Sequence, residues 1–191
     1  MRSIALAAVL FSCSVTGGYA EFTIGSKVES IKVSENSVPV AVSPSKAPAT
    51  VVIFTSTKCP ISNSYNDRMN SIYKDYSDRG VQFVFVNANS NEPLAEIEEH
   101  AKANQFPFKV YKDVNNVLAD EFGATVTPEA YVFDASGTLQ YHGQVDDATN
   151  EARVRVRGLR QAIDAVLSKK PVDLKETKAF GCTIKKVRTT R

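Results

Sequence analysis

Histidine and cysteine are scarce in this chain, with two and three among 191 residues. The histidines, His100 and His142, are far apart and lack the spacing of metal ligands, so no zinc site is expected. Net charge is nearly absent too. Twenty-three basic residues against 21 acidic ones leave +2, which gives no electrostatic basis for holding nucleic acid. The basic C-terminus (Lys185, Lys186, Arg188, Arg191) reads as a solvated tail. No apolar run is long enough to span a bilayer. No segment repeats, and nothing resembles a phosphate-cradling loop or a flavin or nicotinamide fingerprint. No metal and no cofactor is therefore expected.

What is present suffices for one well-cored domain, the chain being 43% hydrophobic. Residues 1–20 have the pattern of a signal peptide: Arg2, an apolar stretch from Ile4 to Phe11, and Gly18-Tyr19-Ala20 as a small-x-small cleavage site. This predicts export, to the periplasm or beyond. Leu10-Phe11-Ser12-Cys13 weakly matches a lipoprotein cleavage box, which leaves lipidation at Cys13 as a lesser alternative. Cleavage after Ala20 removes Arg2 and no acid, so the charge falls from +2 to +1. It also removes Cys13 and leaves Cys59 and Cys182. An even pair in an exported chain points to a disulfide, permanent or catalytic.

Residues 21–170 read as the folded domain and 171–191 as a tail carrying Cys182. Lys27–Val33 and Val38–Val42 are candidate edge strands or a hairpin. Val51–Thr55 is a buried strand, short and mostly β-branched or aromatic. Ile61, Tyr65, Met69, Ile72 and Tyr76 form an apolar stripe that predicts a helix from about Ile61 to Arg79, stopped by Gly80. Val81–Val86 is a second buried strand, Glu92–Asn104 a helix with Pro93 in its first turn, Phe108–Tyr111 a short strand and Asn115–Phe122 a short helix. Ala130–Phe133 and Thr138–Tyr141 flank the turn residues Asp134-Ala135-Ser136-Gly137 and predict a hairpin. Glu151–Leu167 is expected to be the last long helix.

Cys59 sits where the Val51–Thr55 strand ends and the first helix starts. Free N–H groups and the dipole at a helix N-terminus favour thiolate over thiol there. A reactive cysteine is therefore expected, although a lone cysteine is often an inert buried residue. Lys58 is adjacent, Ser62 reads as an ordinary first-turn residue, and Asn63 lies one turn on. Asp146-Asp147 reads as a loop or capping pair. A Cys–His hydrolase would need a histidine beside Cys59, for which only His142 is placed at a strand end.

The strand–helix–strand–helix order followed by a hairpin and a closing helix, with Thr127-Pro128 before the first hairpin strand, resembles a thioredoxin fold: α/β, a central mixed β-sheet flanked by helices. The resemblance implies a cis-proline, Pro128, next to the active-site cysteine, with Thr127 and Pro128 shaping the substrate site. Cys59-Pro60-Ile61-Ser62 has serine where the disulfide oxidoreductases of this fold carry a second cysteine. Ser56-Thr57-Lys58-Cys59 matches the Thr/Ser-x-x-Cys of peroxiredoxins. With Asn66-Asp67-Arg68-Met69, Phe85-Val86-Asn87-Ala88-Asn89, Phe122-Gly123-Ala124, Thr127-Pro128-Glu129, Tyr141 to Asp147 and Gly181-Cys182-Thr183-Ile184-Lys185, the chain resembles the peroxiredoxin-like branch of the alkyl hydroperoxide reductase/thiol-specific antioxidant (redoxin) family.

That resemblance implies a thiol-dependent oxidoreductase with antioxidant activity. Cys59 would be oxidised by peroxide to a sulfenic acid and Cys182 would resolve it to a disulfide. Ser56 would donate its hydroxyl to the thiolate or the peroxide, and an external thiol would be the reductant. Two family features are missing: the position four residues before Ser56 is Val52 instead of proline, and no arginine occurs between Arg79 and Arg153. Two alternatives stay open, an exchanger acting on disulfides of exported proteins and a non-catalytic module with a structural Cys59–Cys182 bond. The oligomeric state, a homodimer included, is not encoded in any short motif of the chain.

Overall fold

The central strand explains the rest of the architecture. In the computed structural model, which describes residues 22–35 and 38–187, β3 (Ala49–Thr55) is buried at every position. Ala49, Val51 and Ile53 enter one core while Val52 and Phe54 enter the other. Side chains that alternate between two apolar layers are what a strand covered on both faces requires. The expected leader with Cys13, and Arg188 and Arg191, lie outside the described residues.

β3 pairs in parallel with β4 (Gln82–Asn87) and antiparallel with β7 (Glu129–Asp134). Beyond β4 lies β5 (Val110–Lys112), also parallel. The hairpin of β1 (Ile31–Glu35) and β2 (Val38–Val42) closes that edge, and β8 (Leu139–Gly143) closes the other. The seven-stranded order is β2-β1-β5-β4-β3-β7-β8: a mixed sheet flanked by helices, as expected. Among the described residues no helix is long and apolar enough to cross a membrane.

Two helices differ from expectation. The Ile61–Arg79 stripe is divided into α1 (Pro60–Asn63) and α2 (Asn66–Ser77). At the break the Ser64 hydroxyl donates to the Ile61 carbonyl (2.7 Å), and the Ser64 carbonyl accepts from the Arg68 guanidinium (3.1 Å). Side-chain bonds of this kind compete with the helical ladder. The apolar stripe survives the break because Tyr65, Met69, Ile72 and Tyr76 still face one core. The second difference is Glu151–Leu167, where only α5 (Gly158–Leu167) is α-helix, preceded by a single 3-10 turn at Glu151–Arg153. Between them the chain is pinned elsewhere: Arg155 N–H donates to Asp147 Oδ1 (2.9 Å) and Asp147 N–H to the Val156 carbonyl (3.1 Å). α5 begins at a glycine because a Cβ on Gly158 would lie 2.6 Å from the Tyr141 hydroxyl.

Two further helices, α3 (Leu94–Ala103) and α4 (Val117–Phe122), complete the layers. The tail is not a separate appendage. Its residues Cys182–Thr183 form β9, which pairs antiparallel with β6 (Val126–Thr127) in a second, two-stranded sheet, placing Cys182 opposite Thr127. Asp146 lies in a loop, as expected, and accepts from the Ala148 N–H (3.3 Å); it is also the buried partner of Arg68.

Candidate active site

The loop from β3 to α1 is built around two buried hydroxyls and a carboxylate. Ser56 Oγ accepts from the N–H groups of Lys58 (3.2 Å) and Cys59 (3.0 Å) and donates to Glu92 Oε1 (2.6 Å). Ser62 Oγ accepts from Ser56 N–H (3.1 Å), so the residue that stands in the place of a second cysteine closes the loop on itself. Cys59 is the N-cap of α1, and Pro60 at the first helical position fixes the entry. Asn63 donates to the Thr57 carbonyl (2.8 Å) and meets His100 Nε2 (3.0 Å).

Cys59 is only 3% exposed. Its sulfur accepts from the N–H of Ser62 and the N–H of Cys182, both at 3.3 Å, and as a thiol it can donate to the Thr127 carbonyl at 3.4 Å. The Thr127–Pro128 peptide is cis. The structure therefore brings Cys59, Cys182, Thr127 and Pro128 together, and both cysteines are free thiols. Ser56 is the exception among the expected site residues. Its proton is committed to Glu92, so it does not donate to the sulfur as expected. Two nearby cations are committed too. Lys58 turns to Glu96 (2.9 Å) and the Asn91 carbonyl (2.8 Å), and Arg68 is locked to Asp146. His142 pairs with Glu129 (2.6 Å) and stacks on Tyr131 (centroids 4.3 Å apart).

Burial pushes the Cys59 thiol up. The hydrogen bonds from the Cys182 side chain, the Ser62 N–H and the Cys182 N–H outweigh it and bring the thiol below its usual range. Cys182 moves the opposite way. Its hydrogen bond to Cys59, some burial and the nearby Cys59 charge raise its pKa. The surroundings thus shift the two thiols in opposite directions, so that Cys59 ionises before Cys182. The ionised form of a cysteine is the nucleophile, which makes Cys59 the attacking member of the pair.

Glu92 is the site residue that sequence reasoning passed over. It is 2% exposed, and its carboxylate accepts from Ser56 Oγ, Thr57 N–H, Thr57 Oγ1 and Asn87 Nδ2 at 2.6–3.0 Å. Burial pushes this carboxyl up, but these donors outweigh it and hold it below the usual range. Glu129 behaves likewise. It is 4% exposed, held down mainly by His142 and the N–H groups of Thr125 and Val126, and it supports β6 from behind. A lowered folded-state pKa means stabilisation that is present above the unfolded value and lost as pH falls through the folded one. Stability is therefore expected to fall as pH drops below about 4.3, the ordinary glutamate value. Glu92→Ala should flatten part of that slope in urea titrations at stepped pH. It should also destabilise at neutral pH by at least about 1–3 kcal/mol, the cost of a buried donor left unpaired.

The fold that carries this cysteine has counterparts elsewhere. The sequence profile of the AhpC/TSA family matches residues 24–142. The chain belongs to the AhpC/TSA family. Among solved structures, a hypothetical protein from Sinorhizobium meliloti 1021 is similar at 28% identity and TM-score 0.79, covering 89% of this chain and 98% of that one. An uncharacterized conserved protein from Geobacillus kaustophilus is similar at 27% identity and TM-score 0.80, with 88% and 95% covered. A thiol:disulfide interchange protein of the thioredoxin family from Chlorobium tepidum TLS shares the fold at 21% identity and TM-score 0.55, with 78% and 97% covered. No protein of curated function matches. As an AhpC/TSA protein with a thioredoxin-like fold, this one is an oxidoreductase.

Proposed function

We propose that this AhpC/TSA protein is an exported two-cysteine thiol–disulfide oxidoreductase in which Cys59 attacks and Cys182 resolves. The observation that carries the reading is the contact between the two thiols, with the Cys182 peptide N–H on the Cys59 sulfur and opposite pKa shifts on the pair. The Cys59 thiolate attacks one sulfur of a substrate disulfide, and the other sulfur leaves as thiolate. The Cys182 thiol then loses its proton and attacks Cys59 Sγ, giving the Cys59–Cys182 disulfide and releasing the second substrate thiolate. An external dithiol restores the pair and leaves as a disulfide. Export rests on the leader pattern of residues 1–20.

Family membership favours a second reading, peroxide reduction. There the thiolate takes the terminal oxygen of the peroxide, the alcohol or water departs, and Cys182 displaces water from the sulfenic acid. Ser56, Lys58 and Arg68 are turned elsewhere, which leaves peptide N–H groups and Lys185, whose charge acts on Cys182, to meet the charge on the peroxide oxygens. Exchange makes no such demand.

One experiment separates the readings. The reduced protein is given one equivalent of a peptide disulfide or of hydrogen peroxide, quenched with a thiol-blocking reagent and mapped by mass spectrometry. Faster conversion to Cys59–Cys182 with the peptide disulfide is expected, with Cys59→Ser inert and Cys182→Ser stopping at a mixed disulfide. Rapid sulfenic acid on Cys59 with peroxide, and a slower reaction with the disulfide, would establish the peroxidase instead. Inertness to both would leave only a structural bond.

A further inference from the structure

Away from the cysteines, a cavity of about 170 Å³ opens between the β1–β2 hairpin and α4. Its floor is apolar: Val33, Val86 and Leu118 come up from the core behind it. Its mouth is apolar as well. Five large apolar side chains are exposed among the described residues, and two of them, Val114 (54%) and Val117 (61%), line this opening. Two more flank it. Val38 precedes Pro39 of the cavity wall, and Val187 is tied by its N–H to Asn116 Oδ1 (2.7 Å). A single exposed valine is ordinary, but a group of them round a cavity with a polar rim marks a binding surface.

The mouth is fixed by its backbone. Asn115 and Asn116, between the two valines, are both left-handed (φ 62° and 59°). Asparagine tolerates that region better than most residues, yet two in succession cost free energy. Buried Asn116 holds the turn by donating to the Ala88 carbonyl and accepting from Val187 N–H. Asp113 holds the other side, accepting from the N–H groups of Leu118 (3.0 Å) and Ala119 (2.9 Å). A turn tied in this way keeps Val114 and Val117 in water instead of letting them sink into the core.

The charge at the cavity is positive and short of anions. Lys112 lines it, half-buried, and its ammonium donates to a neutral partner, the Asn89 carbonyl. The acids whose charge reaches Lys112 are spent elsewhere: Glu92 on the cysteine loop, Asp113 on the start of α4. Burial pulls the Lys112 pKa below its usual range, and those two acids oppose the shift without cancelling it. Exposed Lys32 adds a second positive charge at the rim, near Glu121. A half-buried ammonium gains most from a partner that brings a negative charge to it.

We propose that this cavity binds a small monocarboxylate with an apolar body of about benzene size, its body among the valines and its carboxylate on Lys112. The size follows from the volume, since an apolar cavity of roughly 150 Å³ takes up benzene. Apolar walls with a few convergent polar groups are the general pattern of small-molecule sites. The lining contains neither cysteine, so this site stands or falls independently of the exchange reading.

Benzoate is the probe, titrated into the full chain by calorimetry. Benzyl alcohol, with the ring and no charge, and acetate, with the charge and no ring, are titrated beside it. Benzoate should bind about tenfold more tightly than either, and the Val114 and Val117 amide signals should shift in the NMR spectrum as it does. Lys112→Met keeps the stem and removes the charge. It should weaken benzoate about tenfold and leave benzyl alcohol unchanged. Val117→Glu sets a negative charge in the mouth at an exposed position and should abolish benzoate binding while circular dichroism stays unchanged. Should Lys112→Met not fold, Val117→Glu and the three ligands decide. Equal affinity for benzoate and acetate, or undiminished binding in either folded variant, would overturn the proposal. So would the absence of heat and shifts with benzoate. If sedimentation then shows a dimer that Val117→Glu dissociates, the valine surface belongs to a second copy of the chain.

Discussion

Arg68→Ala is expected to cost about 3–5 kcal/mol of stability, the range for removing one partner of a buried ion pair. The guanidinium and the Asp146 carboxylate are 6% and 4% exposed. Nη1 donates to both Asp146 oxygens and the Ala148 carbonyl at 2.7 Å, and Nη2 donates to the Ser64 and Thr149 carbonyls at 3.1 and 2.5 Å. The Tyr65 ring stacks on the group at 3.7 Å. Truncation leaves an unpaired buried charge and three carbonyls without their donor. Native domains hold only about 5–15 kcal/mol in total, so this loss takes much of the margin. The check is the urea midpoint of wild type, Arg68→Ala and the double variant Arg68→Met/Asp146→Leu. The double variant should recover much of the loss, because an apolar pair leaves no orphaned charge. A single variant within 1 kcal/mol of wild type would show that the pair is not what holds the α1–α2 break against the 146–149 loop.

Cys182→Ala is expected to raise the pKa of Cys59 and so to shrink the fraction present as thiolate at any pH below that pKa. After burial, which opposes it, the Cys182 side chain has the largest influence on the Cys59 thiol and lowers its pKa. Alanine keeps the peptide N–H and removes only that donor. The sign follows: the thiolate loses a hydrogen bond, so the midpoint of the alkylation rate against pH moves up. The reciprocal variant, Cys59→Ala, should lower the Cys182 midpoint, because the bond to Cys59 and its charge are what raise it. Both midpoints come from iodoacetamide labelling at stepped pH, read site by site. Unchanged midpoints would mean that the two thiols titrate independently and that proximity alone divides their roles.

The sequence by itself determined the parts whose cause is local. The run Val51–Thr55 has to be a buried strand, because its four consecutive apolar residues, Val51 to Phe54, leave no polar face to expose. Cys59 before Pro60 has to sit at a helix start, because proline fits the first helical turn and few other places in a helix. The Asp134–Gly137 turn, with Gly137 at φ 79°, could hardly be anything else. Even so, a periodic stripe shows which face is buried and not whether the backbone runs unbroken beneath it. That is why the break at Ser64 and the extended stretch after Arg153 escaped the pattern.

Only the tertiary structure decided which distant groups meet. Glu92 lies 36 positions from Ser56 and Asp146 lies 78 from Arg68. In sequence Glu92 reads as the start of a helix and Asp146 as a loop or capping residue; burial makes one the hub of the cysteine loop and the other half of an ion pair. Ser56 illustrates the same limit. Its place in the motif is local, but the direction of its proton is set by the carboxylate across the sheet. Cys182 is separated from Cys59 by 123 positions. Its delivery to the sulfur depends on strand pairing with β6 and on a glycine whose missing Cβ leaves room for that approach. Hydrophobic patterning fixes secondary structure because its period is a property of neighbouring residues. Hydrogen bonds between segments depend on where the folded backbone carries them, and no local period encodes that.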